Sequence, residues 1–166
     1  MARLTNQEMR TFSEALLALY SPMEINALPE HAFRVLKRII HGDAYSFSHQ
    51  GSGLYNELLV TDPVYPNQNA LFQAFEHYMY QHPSVAAAMR LQTDEALKIS
   101  DFLSLSQWHR TDLYNEFFRI DKMSYQLGFF ASSNDPQIVV TVNRRMRDVT
   151  EAERAMFTLL RPHLEL

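Results

Sequence analysis

The chain contains no cysteine. That absence excludes a disulfide framework, a thiolate metal site and a cysteine nucleophile, and it fits a reducing cytoplasm. No apolar run approaches the ~18 residues of a membrane span. The opening residues Met1-Ala-Arg-Leu-Thr-Asn-Gln-Glu8 lack the pattern of a secretory signal. Positive charge is also scarce. Fifteen lysines and arginines against nineteen acidic residues leave a formal net charge of −4, which provides no electrostatic footprint for nucleic acid. Neither a G-x-S-x-G elbow nor a G-x-x-x-x-G-K-[ST] loop occurs, so the usual nucleophile and phosphate cradles are missing. The expectation is a cytoplasmic protein that is not an enzyme, with no membrane or nucleic-acid contact by this chain.

What is present is an ordinary core. The sequence is 46% hydrophobic over 166 residues, and a chain of that length buries about two thirds of its unfolded surface. No repeat, low-complexity tract or long linker interrupts it, so a single domain spanning 1–166 is expected.

Thr5-Asn6-Gln7-Glu8 reads as a capping box. Met9, Phe12, Leu16, Leu19 and Tyr20 follow on one face, and Pro22 stops the helix. A second helix starts around Pro29, buries Phe33, Leu36, Ile39 and Ile40, and is expected to end on Gly42 as a left-handed residue. The period then changes to two. Tyr45, Phe47 and His49 alternate with Ser46 and Ser48, as a half-buried strand requires. A turn at 51–53 leads to a second strand over 54–60, and a Pro-rich loop (62–66) leads to a helix from about Asn69. That helix carries Leu71, Phe75, Tyr78 and Met79 on one side. His82-Pro83 interrupts it, and a short helix through Val85, Met89 and Leu91 follows. A short strand at 97–99 and small helices around 106–108 and 111–118 come next. Met123, Tyr125, Leu127, Phe129 and Ala131 mark a strand. After a turn at 133–136, Ile138, Val140 and Val142 mark the last one. A final helix opens with the capping box Thr150/Glu153 and carries Met156, Leu159, Leu160, His163 and Leu164. The order predicts an α+β fold with a five-stranded antiparallel sheet and the terminal helices on one face.

Seven histidines (His31, His41, His49, His77, His82, His109 and His163) have no diagnostic metal spacing, so no metal site is expected. Arg144, Arg145 and Arg147 read as solvated charges, or as partners of Asp148 and Glu151 at the helix start.

Several stretches, in this order and spacing, resemble one family. They are Leu28-Pro29, Gly42-Asp43, His82-Pro83, Ile99-Ser-Asp-Phe-Leu-Ser104, His109-Arg-Thr-Asp-Leu-Tyr-Asn-Glu-Phe-Phe118, Gln126-Leu-Gly128 and Asn143 through Leu164. Together they are similar to the GAF-like sensor domain of LuxR-type, helix-turn-helix transcription regulators. The resemblance implies a small-molecule-sensing regulatory domain with an unidentified ligand and no assignable cofactor. It also implies signalling through the terminal helices toward a DNA-binding domain, which is absent after Leu166. Cysteine-dependent sulfoxide reductase and bilin-attaching GAF chemistry is excluded, and the Asn-Lys-Phe-Asp-Glu pattern of cyclic-nucleotide GAF domains is missing. The resemblance further implies a ligand cavity on one sheet face, expected to be lined by some of Tyr45, Phe47, Trp108, Tyr114, Phe118, Phe129 and Thr141. The same aromatics would serve equally as core. A homodimer through the terminal helices is expected, with Leu17 and Leu164 at the interface. Pro162 is expected to loosen an exit segment. The alternatives are a ligand-independent dimerisation or interaction module, or an enzyme using the same cavity.

Overall fold

Thr5 opens the first helix by a reciprocal cap. Its hydroxyl accepts from the Glu8 amide at 3.2 Å, while the Glu8 carboxylate accepts from the Thr5 amide at 2.7 Å. Helix α1 then runs Asn6–Leu19. The computed structural model describes residues 3–50, 56–91, 93–131 and 137–164. The turns expected at 51–53 and 133–136, and residues 54–55 of the expected second strand, lie outside that set. The side chains of Met89, Leu91 and Ala131 lie outside it too.

Helix α2 (Leu28–Ile39) has Pro29 in its first turn and buries Phe33, Leu36 and Ile39, with Ile40 just beyond. It does not end on a left-handed Gly42. Ile40 is already extended, at φ −139° and ψ 120°. Gly42 serves space instead: a Cβ there would lie 2.6 Å from Val142 Cγ1 and 3.1 Å from Tyr45 Cζ. A side chain would therefore force the loop off the sheet.

Strands β1 (Ala44–Gln50), β2 (Asn56–Asp62), β3 (Leu97–Lys98), β4 (Tyr125–Ala131) and β5 (Gln137–Arg144) make one sheet in the order β2-β1-β5-β4-β3. Every pairing is antiparallel, so the expected α+β architecture is the observed one. One sheet face presents Tyr45, Phe47, Leu127, Phe129, Val140 and Val142. Against it pack α1, α2 and α7 (Glu151–Leu160), through residues such as Leu19, Leu36 and Phe157. Phe129 and Phe157 meet with centroids 4.8 Å apart, a pairing that adds about 0.5–1.5 kcal/mol beyond area burial.

Three expectations at the chain ends change. Met9 and Tyr20 are exposed rather than part of the buried stripe. Tyr20 lies past the last turn of α1, and its hydroxyl meets His163 Nδ1 at 2.6 Å. Leu164 is fully buried in the helix-side core. Pro162 sits in a single tight turn, Arg161–His163, that carries Leu164 back onto the sheet. A charged residue at Leu164 would break the core rather than probe an interface. Arg144 is not solvated either: it is 4% exposed and clamps Glu153, because the end of β5 is covered by the first turn of α7.

Candidate functional site

The other face of the sheet carries small and polar side chains. Strand alternation sends Ala44, Ser46 and Ser48 of β1 there, with Val139, Thr141 and Asn143 of β5 and Gln126 of β4. Above them stand α3 (Gln68–Tyr78), α4 (Pro83–Leu91), α5 (Leu105–Trp108), α6 (Asp112–Glu116) and the turn Phe118–Asp121. A cavity of about 680 Å³ lies between floor and roof, within the ~300–1,000 Å³ of small-molecule sites. Leu71, Phe72 and Phe75 of α3 line it, yet no residue of α3 is fully buried. The helix turns its apolar side toward a space that the protein leaves unfilled.

The register builds the floor. Ser46 pairs with Thr61 of β2 and with Thr141 of β5, and Thr141 pairs with Gly128 of β4. Three hydroxyls therefore stand in one row across three strands, ending at a residue with no side chain. A Cβ on Gly128 would press within 3.3 Å of Thr141 Cγ2.

A hydrogen-bond chain runs beside that row. His82 Nε2 meets Gln126 Oε1 at 2.8 Å, and Gln126 Nε2 donates to Asn143 Oδ1 at 3.0 Å. Asn143 Nδ2 donates to Thr141 Oγ1 at 3.3 Å, and Thr141 Oγ1 lies 2.7 Å from Ser46 Oγ. An amide oxygen can only accept, so His82 carries its proton on Nε2, leaving Nδ1 to accept from the Val85 amide at 3.4 Å. That tautomer is neutral. Burial pushes the imidazole down to about 4, against a smaller upward pull from the Gln126 bond.

A histidine depressed in the folded state takes up its proton more readily when unfolded, below its ordinary value of 6.5. Stability tied to His82 is therefore complete above pH 6.5 and is lost progressively as pH falls toward about 4. The expected loss at the low end is about 3 kcal/mol. Urea titrations at stepped pH should show this slope, and an NMR midpoint near 6.5 for His82 would contradict it.

At one end of the cavity, burial and the neighbouring Asp121 carboxylate push the Tyr65 phenol up to about 12, and that phenol hydrogen-bonds Asp121. At the other end, Arg161 reaches the wall from just beyond α7 and joins Thr93, Asp94 and Glu95 there. Among the described residues, no three His, Cys, Asp or Glu side chains gather as a metal site.

The residues expected at a ligand site separate into three groups. Phe118 and Thr141 line the cavity. Tyr45 borders it, but its hydroxyl is tied back to the Gly42 amide and the Ile40 carbonyl, and its ring packs in the helix-side core. Phe47 and Phe129 are corrected to that core. Residues directly opposed in an antiparallel pair share a face, and both are paired with Val140, one position from Thr141. They cannot stand with Thr141. Trp108 and Tyr114 form a second layer, with Trp108 packed behind Phe118 and His82 at centroid distances of 5.1 and 6.0 Å. The polar floor of Ser46, Gln126 and Asn143 was missed, although the small-polar/large-apolar alternation of β1 and β5 is its sequence signal. The lining role of Leu71, Phe72 and Phe75 was missed as well. Nothing in a helical stripe distinguishes a roof over a cavity from a helix over a core.

A sheet with terminal helices on one face and a roofed cavity on the other defines a GAF-like domain, the fold expected from the sequence. The chain is similar to the ligand-binding domain of VqsR from Pseudomonas aeruginosa, with a TM-score of 0.64 at 13% identity over 96% of this chain and 93% of that one. It is similar to CepR2 from Burkholderia cenocepacia, an N-acylhomoserine lactone dependent LuxR-family transcription factor. There the TM-score is 0.60 at 12% identity, over 95% of this chain and 92% of that one. The GAF domain of a two-component sensor histidine kinase from Bacillus halodurans matches with a TM-score of 0.51 at 17% identity, over 87% and 92% of the two chains. At these identities the shared property is the fold. No protein-family model and no curated protein sequence matches the chain.

Proposed function

We propose that this chain is a small-molecule-sensing regulatory domain of a LuxR-type transcription regulator. One observation carries the reading: a preformed cavity of about 680 Å³ with apolar helices above and an in-register polar floor below. Such a space suits an amphiphile whose tail lies under α3 and whose head meets the hydroxyl row. The dependence of CepR2 on an N-acylated lactone makes that class of compound a reasonable first probe. Occupancy would be felt by Arg161, which touches both the cavity and the turn that follows α7, and through it by the terminal segment leading toward a partner domain.

The test uses N-octanoyl homoserine lactone and 1-decanol against the protein purified without denaturation. Trp108 backs Phe118 and His82, so filling the cavity should change its fluorescence saturably, and native mass spectrometry should report one ligand per chain. If neither probe binds and the purified protein retains no small molecule, the sensor reading fails.

Homodimerisation belongs to the same proposal. Leu17 on the outer side of α1 is 76% exposed, a large apolar side chain that a partner would cover. The protein should sediment as a dimer, and Leu17→Glu should shift it toward monomer with little change in melting temperature. A wild-type monomer at high concentration would count against this part.

A further inference from the structure

The roof of the cavity is anchored unevenly. Ala87 of α4 and Leu113 and Tyr114 of α6 are buried, so those helices are rooted in protein. In the segment 63–80, which carries α3, no residue is buried. The apolar side chains of α3, Leu71, Phe72 and Phe75, line the cavity and therefore gain little of the packing that normally holds a helix in place. A protein opens locally where few buried apolar contacts must be broken. Within the roof, that place is α3.

Its two ends are held differently. After the C-terminal end comes the tight turn Met79–Gln81, and Gln81 is bonded twice to α6. Its Nε2 donates to Asp112 Oδ2 at 3.0 Å, and its Oε1 accepts from the Leu113 amide at 3.1 Å. Phe75 packs on Phe117 with centroids 5.2 Å apart, and buried His82 follows the turn. The N-terminal end has no such root. Asn67 makes no side-chain cap bond to the helix. Among the described residues two polar ties hold this end: Gln68 Nε2 donates to the Leu59 carbonyl at 3.2 Å, and the Tyr65 phenol bonds Asp121. Leu59 lies on β2, the outermost strand at that side of the sheet, and itself lines the cavity. A gap between α3 and β2 would therefore lead from solvent to the polar floor.

Resting on the small-molecule reading above, we propose that α3 is a hinged lid. Its N-terminal half swings away from the edge strand β2 about the turn Met79–Gln81, and the Gln68–Leu59 bond is the latch that sets how often the cavity opens. A latch of this kind governs the rates of entry and exit rather than the affinity, because it must break in both directions.

Hydrogen exchange read by mass spectrometry on the full chain without ligand tests the lid itself. Corrected for intrinsic rates, amides 72–77 of α3 should exchange at least tenfold faster than amides 155–160 of α7. Gln68→Ala should speed exchange in α3 about fivefold, as expected for one lost hydrogen bond, and leave α7 unchanged. Alanine is the better helix former, so a weaker helix would not explain the gain. Stopped-flow Trp108 fluorescence with 1-decanol tests the gating. In Gln68→Ala the association and dissociation rates should rise together, about fivefold each, with Kd changed less than twofold. Exchange in α3 as slow as in α7, an α3 rate unaltered by Gln68→Ala, or a variant in which dissociation alone accelerates would each overturn the proposal. If decanol binds neither form while α3 still exchanges fast and responds to Gln68→Ala, the exchange data uphold the moving helix and it is the small-molecule reading that loses its support.

Discussion

Replacing Arg144 with methionine should destabilise the domain by about 3–5 kcal/mol, the usual cost of removing one partner from a buried ion pair. Arg144 is the last residue of β5 and reaches both Glu153 carboxylate oxygens, at 2.5 and 3.2 Å. Its Nε also donates to the His41 carbonyl at 2.6 Å, and its Nη1 to the Asp148 carbonyl at 3.2 Å. One side chain thus ties the sheet, the α2–β1 loop and the first turn of α7 together. Methionine fills similar volume but supplies none of these donors, leaving the Glu153 charge partly buried. The melting temperature should fall by roughly 10 °C for a domain of this size. Lysine should recover only part of the loss, because an ammonium cannot match the planar two-pronged contact. Burial pushes the Glu153 carboxyl up, but bonds from Arg144 and Thr150 outweigh it and hold the group below its usual range. That stabilisation is present above the ordinary carboxylate value and is lost as pH falls through the lowered one. The gap between wild type and variant should therefore narrow in acid. A loss under 1 kcal/mol by urea titration at pH 7 would show that the clamp is not holding α7.

Ala88→Trp should abolish binding of cavity ligands, with an expected loss of at least a hundredfold, while leaving the fold intact. Ala88 lies on the cavity-facing side of α4 and lines the wall. No hydrogen bond depends on its side chain, and tryptophan is tolerated in a helix at a cost of only a few tenths of a kcal/mol. The added indole would occupy space that the wild-type protein leaves empty, so the usual overpacking penalty of about 1–3 kcal/mol should be largely avoided. Calorimetry with 1-decanol together with a thermal melt separates the two quantities. Full binding by a folded variant would place the ligand elsewhere, and a collapse in stability would mean that α4 has no room to give.

The local signals that held did so because the physics behind them is local, whereas the Gly42 cap failed because the chain was already extended at Ile40. The capping boxes Thr5/Glu8 and Thr150/Glu153 close within one turn. Pro29 and His82-Pro83 act on their own backbone. The switch to period two at Tyr45 reports the strand itself, and the succession of helices and strands was enough for an α+β architecture with an antiparallel sheet, the GAF-like reading coming from the family resemblance. Which face of the sheet would be core and which would be cavity was not local. It followed from register: once Ser46 opposes Thr141 and Phe47 opposes Val140, the aromatics must join the helices and the hydroxyls must form the floor. Composition could not settle this, since an aromatic ring serves a core and a ligand wall equally well. Arg144 and Leu164 show the same limit. An arginine in a basic turn reads as solvated or paired with Asp148 or Glu151, and a leucine after a proline as part of an exit segment at a dimer interface, until α7 covers the end of β5 and the Arg161–His163 turn folds back. Caps, breaks and periodicity were determined by the sequence alone, because each involves residues a few positions apart. The burial of Arg144, the identity of the cavity face and the convergence of Arg161, Asp94 and Glu95 were decided only by tertiary structure, because each depends on contacts between segments distant along the chain.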